Sequence, residues 1–156
     1  MMMITFKRIF SLFLGVMVAA CAAQDTSIDD EVELAQLEAA NEAFTGAISG
    51  MDLEGIMSWI AEDAIFYPPA SEALSGRESV RDFFAAAMSD PSASAEFEHL
   101  SAYLSEDGSM GYTVSMLSYT YTAPDGNVTT DLERDLHIWR KDGSDSWKLV
   151  LDMWNK

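Results

Sequence analysis

The architecture of this chain follows from its C-terminal segment, Asp131-Leu-Glu-Arg-Asp-Leu-His137-Ile-Trp139-Arg-Lys-Asp142-Gly143-Ser-Asp-Ser-Trp147-Lys-Leu-Val-Leu-Asp152-Met-Trp154-Asn155. Two alternating segments flank a turn rich in Asp, Gly and Ser, which predicts a β-hairpin. Strand side chains return to the same face at every second residue, so Asp135, His137 and Trp139 are predicted to share one face. Asp152 and Trp154 alternate in the same way on the second strand. A histidine, two carboxylates and two indoles can therefore meet on one side of this hairpin.

The rest of the chain after Pro91 also alternates with a period of two residues. The predicted strands are 93–104, 110–122, 128–140 and 146–155. Each junction between them carries an Asp-Gly pair, beginning at Asp107, Asp125 and Asp142. Because such pairs supply the positive φ angles of tight hairpins, the four strands are predicted to form an antiparallel meander.

The chain before Pro91 has a helical period instead. Apolar residues three and four positions apart predict a first helix that ends near Gly50, a second over 53–60 and a third that opens at Gly76. A short strand, 64–67, is predicted to end at Pro68, because proline cannot donate to a strand ladder. Three helices followed by a sheet predict an α+β fold with the helices covering one sheet face.

Length and charge limit what this chain can do. With 156 residues it is long enough for one domain with a core and too short for two. Its formal net charge of −17 repels phosphate backbones and anionic lipid headgroups. We therefore predict no nucleic-acid partner and no electrostatic docking to a membrane surface.

The first twenty residues have the pattern of a secretory signal. Lys7 and Arg8 precede an apolar run, 9–20, that ends in small residues. Removal of residues 1–20 would take away these two cations and no acid, so the net charge would move from −17 to −19. Residues 21–30 are predicted to form a flexible tether, and 31–156 the folded domain.

The signal ends in Val18-Ala19-Ala20-Cys21, which resembles the lipobox of bacterial lipoproteins. The resemblance implies that Cys21, the one cysteine of the chain, is lipidated and becomes the new N-terminus. It also implies a protein carried across the inner membrane and anchored at the outer membrane, facing the periplasm, because Ala22 follows the cysteine. The alternative is a soluble secreted protein with a chance cysteine after its cleavage site.

Other chemical motifs are weak. Two histidines, His99 and His137, and a lipidated Cys21 do not assemble a zinc site by spacing, so no metal is predicted. The chain has no glycine-rich phosphate loop and no nucleophile elbow. No cofactor is predicted.

A series of short motifs is spread over the whole domain, in the order Asn41-Glu-Ala-Phe44, Gly50-Met-Asp52-Leu-Glu-Gly-Ile56, Ala61-Glu-Asp63-Ala64, Tyr67-Pro68-Pro69, Ser75-Gly76-Arg77-Glu78, Trp139-Arg-Lys-Asp-Gly143 and Trp147-Lys-Leu-Val. In this order they resemble the nuclear transport factor 2-like superfamily, and within it the SnoaL-like and DUF4440 branch related to ketosteroid isomerase. Together they cover about residues 30–155. The resemblance implies a cone-shaped roll, in which a curved antiparallel sheet wraps three N-terminal helices around a pocket, and a homodimer formed through the sheet.

The resemblance also implies where the catalytic groups of ketosteroid isomerase would fall. The tyrosine position falls on Phe44 and the base position on Pro68, neither of which can exchange a proton. The position of the acid that stabilises the enolate oxygen falls near His137 or Leu136. Steroid isomerisation in that form is therefore not expected.

The same alignment implies which side chains face the pocket, although each of them can equally be a core residue. Tyr119 and Tyr121 are assigned to the outer sheet face, where they can mark a dimer surface. The residues predicted to line the pocket are Phe44, Ile60, Tyr67, Phe83, Tyr112, Val114, Met116, His137, Trp139, Asp152 and Trp154.

His137 is the predicted centre of any chemistry. In the hairpin it lies opposite or diagonal to residues 150–152, so Asp152 can orient its ring, with Asp135 as the other candidate carboxylate. Three functions stay open. The first is an anchored protein that binds a small, largely apolar molecule. The second is an isomerase, dehydratase or cyclase that uses His137 with Asp152 or Asp135 as acid and base. The third is a dimerisation module without chemistry, which also follows if the hairpin register places His137 and Asp152 on opposite sides.

Overall fold

The computed structural model describes residues 30–155. The predicted signal over 1–20, the lipidation site Cys21 and nearly all of the predicted tether lie outside these residues. Within them, no helix is long and apolar enough to cross a membrane. The elements are α1 (Asp30–Ser49), α2 (Leu53–Trp59), β1 (Ile60–Tyr67), β2 (Leu74–Ser75), α3 (Arg77–Ala87), β3 (Ser94–Leu104), β4 (Met110–Thr122), β5 (Val128–Lys141) and β6 (Trp147–Asn155).

The strands form one curved sheet in the order β2-β1-β6-β5-β4-β3. Strands β3 to β6 are the predicted antiparallel meander. Strand β1 runs parallel to β6, and β2 adds a short antiparallel pair to its free side. The α+β prediction and the antiparallel meander are confirmed, and the parallel β1 makes the complete sheet a mixed one. A parallel partner needs a long crossover connection, and here most of the chain separates β1 from β6.

A β-bulge in β6 fixes which side chains face the helices. Trp139 pairs with Leu149 and Ile138 pairs with Leu151, so Val150 is an extra residue in the ladder. The bulge shifts the alternation by one residue along β6. As a result, Leu149 before the bulge and Asp152 after it are both buried against the helices.

The hydrophobic core lies between the concave side of the sheet and the three helices. Helix α1 packs closely over β4 at Gly111, where a Cβ atom would lie 2.5 Å from Leu37 Cδ2. The absence of a side chain therefore lets helix and strand approach each other. The largest fully buried apolar residues are Leu37, Phe44, Ile56, Met57, Ile60, Phe66, Val80, Trp139 and Leu149.

The convex side of the sheet is also apolar. Cross-strand register aligns two rows of side chains, the first across five strands and the second across four. We call these nine residues the convex apolar face: Tyr103, Tyr112, Ile138, Leu151 and Ile65 in the first row, and Val114, Leu136, Met153 and Tyr67 in the second. Several are exposed, among them Tyr103 at 54% and Met153 at 45%. Such a face on a domain of this size is typical of a protein contact surface.

Candidate functional site

Polar side chains occupy the centre of the concave side, which makes this part of the core unusual. Thr113 of β4 pairs with His137 of β5, and His137 pairs with Asp152 of β6. In the adjacent row, Ser115 pairs with Asp135 and Asp135 pairs with Trp154. All of these polar residues are at most 4% exposed. Buried polar groups of this kind require hydrogen-bond partners.

A chain of hydrogen bonds fixes the ring of His137. The indole Nε1–H of Trp139 donates to Thr113 Oγ1 at 3.1 Å, and the Thr113 hydroxyl donates to Asn41 Oδ1 at 2.8 Å. An indole nitrogen only donates, so the single hydroxyl hydrogen of Thr113 is left for Asn41. The same Asn41 Oδ1 lies 2.7 Å from His137 Nδ1. An amide oxygen only accepts, and Nδ1 therefore carries a hydrogen.

The other ring nitrogen of His137 faces two carboxyl groups. Nε2 lies 3.1 Å from Asp135 Oδ2 and 3.9 Å from Asp152 Oδ1. The side chains of the three residues are 1%, 5% and 6% exposed. Among residues 30–155, no other residue donates a hydrogen bond to Asp135 Oδ1 or to Asp152 Oδ1, and a proton on Asp152 can be shared with Asp135. We call Asp135, His137 and Asp152 the acid–histidine cluster.

One member of the acid–histidine cluster, Asp152, has a raised pKa. Burial raises the pKa of Asp152 well above its usual value, and the negative charge of nearby Asp135 raises it further. Two buried carboxylates side by side repel each other, so a proton on one of them lowers the energy of the pair. Asp152 is therefore the group that holds a proton at pH values where an exposed aspartate has lost it.

A cavity of about 450 Å³ opens beside this cluster. Asp135 and Asp152 reach its wall, whereas the fully buried ring of His137 lies behind them. The remaining wall is mainly apolar and aromatic, with two further acids, Asp131 and Glu133, and with no Lys or Arg from residues 30–155. The large apolar and aromatic side chains of the wall belong to Ile48, Phe83, Phe84, Met88, Phe97, Leu117, Tyr119, Tyr121 and Trp154. An apolar cavity with a few converging polar groups is the usual form of a small-molecule site.

The structure brings together only part of the predicted pocket. Of the apolar residues assigned to it, Phe83 and Trp154 line the cavity. Phe44, Ile60 and Trp139 face inward but are core residues, and Phe44 packs edge-on against the rings of His137 and Trp139. Their assignment to the pocket wall is wrong, because α1 lies directly on this part of the sheet. Whether Phe83 and Trp154 bind a ligand stays a prediction.

Four further residues were assigned to the pocket but lie on the opposite face of their strand, which is the convex side of the sheet. Tyr67, Tyr112, Val114 and Met116 face the convex side, and Tyr67 and Tyr112 are 42% and 39% exposed. On β4 the inward positions are the odd-numbered ones. Tyr119 and Tyr121, which were assigned to the outer face, consequently line the cavity and stack on each other at 5.4 Å.

Three polar residues of the site were not identified from the sequence. Asn41 holds the ring of His137, Thr113 holds Asn41, and the buried Ser115 hydroxyl lies in register with Asp135. Asn41 did leave a signal, since it is a polar residue within the apolar stripe of α1 between Leu37 and Phe44. Thr113 and Ser115 left none, because hydroxyl residues are common in exposed strand positions.

Comparison with known proteins places this geometry in a family. A family model described as a SnoaL-like domain matches residues 41–145. None of the curated proteins compared matches the chain.

Solved structures share the fold at low sequence identity. A ketosteroid isomerase-like protein from Erwinia carotovora atroseptica is 20% identical with a TM-score of 0.69, over 78% of this chain and 94% of that chain. A nuclear transport factor 2-like protein with a cystatin-like fold from Novosphingobium aromaticivorans is 11% identical with a TM-score of 0.64, over 80% and 81%. A Xanthomonas campestris protein named for the calcium/calmodulin-dependent protein kinase II association domain is 15% identical with a TM-score of 0.62, over 76% and 83%. At these identities the likeness shows the fold alone.

Proposed function

The chain belongs to the SnoaL-like domain family, and on this premise we propose that it binds a small, largely apolar molecule in the cavity with the polar end of that molecule against Asp135 and Asp152. The observation that carries the proposal is that Asp135 and Asp152 line the cavity and that each has one buried carboxyl oxygen without a partner among residues 30–155. A buried acceptor without a donor is unfavourable by about 1–3 kcal/mol. A ligand that donates a hydrogen bond there removes this deficit.

The charge of the cavity selects the kind of polar end. The wall contains carboxyl groups and no Lys or Arg, so nothing in it compensates an anion. A ligand carboxylate would have to be buried beside Asp135 and Asp152 without a cationic partner, which is strongly unfavourable. The expected ligands therefore end in a hydroxyl, an amide or another neutral donor group.

The proposal is tested with two probes that share one ring system. Isothermal titration of the purified protein with 2-naphthol and with 2-naphthoate compares a neutral donor with an anion of similar shape. We expect 2-naphthol to bind at least about tenfold more tightly, because only the anion leaves buried charges unpaired. Equal affinities, or tighter binding of 2-naphthoate, would contradict the proposal.

A pair of Trp variants shows whether binding uses this cavity. Ala95 lines the cavity, and Ser118 lies on the opposite side of the sheet. Ala95→Trp fills the cavity and is expected to abolish 2-naphthol binding. Ser118→Trp adds the same ring to the other face and is the matched control, which should bind normally.

A second function, acid–base catalysis, is favoured by one specific observation. The carboxyl groups of Asp135 and Asp152 both lie within 4 Å of His137 Nε2, and both residues line the cavity. A ligand held there has a proton donor and a proton acceptor next to each other, which is the requirement for moving a proton between two of its atoms. His137 does not reach the cavity wall, so its role is to exchange a proton with the carboxyl groups rather than with the ligand.

The homodimer is proposed on the convex apolar face. Its first row crosses five strands and its second row four, and a two-fold axis through such a surface would place identical rows against each other. The association-domain name of one structural neighbour is consistent with a fold that assembles through its own copies. The chain carries a net charge of −17, and an apolar surface is the part of it on which two copies repel least.

Anchoring at Cys21 is proposed from the sequence pattern that ends the signal. A diacylglyceryl group and a further acyl chain would hold the domain to a bilayer despite its acidic surface. Cys21→Ser is expected to move the protein from the membrane fraction to the soluble periplasmic fraction. Retention of the variant in the membrane fraction would contradict the anchor.

A further inference from the structure

We propose that Asp135, His137 and Asp152 form a binding site for one divalent transition-metal ion, with Zn²⁺ as the ion of choice for testing it. His137 Nε2 and one carboxylate oxygen from each aspartate lie within 4.8 Å of one another. Metal to ligand distances of about 2.0–2.2 Å in a tetrahedral site require donor atoms about 3.3–3.6 Å apart, so the widest separation must shorten by about 1.2–1.5 Å. Small rotations of the two carboxyl groups about their own side-chain bonds provide the difference.

The set of donor atoms suits such an ion chemically. One imidazole nitrogen and two carboxylate oxygens are ligands that Zn²⁺ and its first-row neighbours accept, whereas Ca²⁺ and Mg²⁺ prefer oxygen alone. The three residues come from adjacent strands, and His137 and Asp152 are directly paired in the ladder. The positions of the donors are therefore fixed by the sheet rather than by loops.

The hydrogen bond on the far side of the ring is the one that metal-binding histidines use. His137 Nδ1–H donates to Asn41 Oδ1 at 2.7 Å, which leaves Nε2 as the nitrogen that faces Asp135 and Asp152. Metal-ligating histidines almost always donate their other N–H to an oxygen in this way, which fixes the tautomer and the ring direction. Thr113 holds the oxygen of Asn41 in place through its own hydroxyl hydrogen.

The acid–histidine cluster also needs positive charge at its centre. His137 Nε2 and the carboxyl groups of Asp135 and Asp152 converge there, and Asp135 Oδ1 and Asp152 Oδ1 have no partner among residues 30–155. Their side chains are 5% and 6% exposed. A divalent ion at this point would give the two buried carboxyl groups a partner of opposite charge.

The side of the cluster that faces the cavity gives a metal ion open coordination positions. Three protein ligands with a remaining position for water or ligand is the arrangement of catalytic rather than structural zinc sites. The inference rests on the proposed function in one respect, since the polar end of a cavity ligand would then meet the metal ion. Metal binding itself requires no ligand, and so the two proposals can fail separately.

The test is calorimetric titration of the chelator-treated full chain with Zn²⁺ alone. We expect one equivalent to bind, with affinity reduced at least about tenfold in Asp135→Asn and in Asp152→Asn, because each change removes a charged ligand. Asn41→Ala, which releases the ring without touching a ligand atom, should weaken binding about 10- to 100-fold. The control is His99→Gln, since His99 is the other histidine and pairs with Glu38 at the surface; it should bind as the unmodified chain does.

A second measurement uses the unmodified chain and therefore still tests the proposal if a variant folds poorly. Co²⁺ added to the unmodified chain should give visible absorption bands of a nitrogen and oxygen site, and one equivalent of Zn²⁺ should remove them. Failure of Zn²⁺ to bind at one equivalent, or equal affinity in His99→Gln and Asp152→Asn variants of equal helical and strand content, would overturn the proposal. Zinc binding without any 2-naphthol binding would leave the metal site standing and refute the proposed function.

Discussion

The carboxyl group of Asp152 lies directly across the β5–β6 pair from the imidazole of His137, with Asp152 Oδ1 3.9 Å from His137 Nε2. The bulge at Val150 produces this relationship, because it returns Asp152 to the same side of the sheet as Trp147 and Leu149. A polar pair is thereby placed in the core next to a cavity. The predictions below test the consequences of that placement.

The first prediction concerns the pH dependence of stability. Burial and Asp135 raise the pKa of Asp152 above its ordinary value of 3.8, so the folded chain binds this proton more tightly than the unfolded chain does. Stability contributed by this group is present below that value and is lost as the pH rises through the folded pKa. The Asp152→Asn variant has no carboxyl group at this position, so it does not lose this stability as the pH rises. Denaturant unfolding in the presence of a chelator should therefore show the variant gaining on the unmodified chain as the pH rises from 4 to about 8.

Asp63→Asn is the control with the opposite sign. A hydrogen bond from Arg140 lowers the pKa of exposed Asp63, so this carboxylate favours folding above its ordinary value and that contribution disappears as the pH falls. A difference between Asp152→Asn and the unmodified chain that stays constant with pH would show that Asp152 is not perturbed by burial.

The second prediction concerns the hydrogen bonds behind the ring. Thr113→Val keeps the shape of the side chain but leaves the buried Nε1–H of Trp139 without its acceptor. We expect a loss of about 1–3 kcal/mol in the free energy of unfolding. Thr120→Val is the matched control on the same strand, since the Thr120 hydroxyl contacts Thr130 in an exposed pair, and it should change stability by less than about 0.5 kcal/mol. Equal effects of the two substitutions on stability would refute the importance of these buried hydrogen bonds.

The third prediction tests acid–base catalysis. A cyclic ketone such as 1-tetralone, dissolved with chelator-treated protein in D₂O, should exchange its α-hydrogens faster than in buffer alone, as followed by proton nuclear magnetic resonance. Asp135→Asn should reduce the catalysed rate about 10²- to 10⁴-fold, the usual contribution of one proton-transfer group. Exchange that the substitution leaves unchanged would remove the acid–base function and leave ligand binding.

The fourth prediction concerns assembly. Met153 lies in the second row of the convex apolar face, and Met153→Asp would place a charge at the centre of a two-fold contact. We expect the dimer to dissociate, as measured by light scattering after gel filtration. Val128→Asp is the control, because Val128 is 74% exposed at the far end of β5, away from both rows. A monomeric unmodified chain, or a dimer that survives Met153→Asp, would contradict the proposed surface.

The elements of the fold were predictable because their signals are local. Asp-Gly pairs and the two-residue period located β3 to β6 to within about a residue at each end. The direction of β1 was not predictable in this way. Its partner β6 lies at the other end of the chain, and no local pattern records which distant strand it will join.

The orientation of the side chains of β4 relative to the two sides of the sheet shows why the site was harder to predict than the fold. Hydrophobicity favours placing Tyr112, Val114 and Met116 in the interior, yet the inward positions hold Thr113 and Ser115. On this strand the usual pattern is inverted, with polar side chains inward and apolar side chains outward. The concave side holds a polar site, and the convex side is apolar. The register that turns Asp152 inward was one of two left open by the sequence, and the bulge that also turns Leu149 inward was not predicted.

The account depends most on the claim that the polar end of a ligand meets Asp135 and Asp152 at the inner end of the cavity. A crystal structure of the chain with 6-bromo-2-naphthol tests it directly, because anomalous scattering from bromine fixes the orientation of the ring. We expect the hydroxyl oxygen within hydrogen-bonding distance of Asp135 or Asp152 and the bromine at the opposite end of the cavity. Bromine next to the two carboxyl groups, or a ligand bound outside the cavity, would contradict the claim.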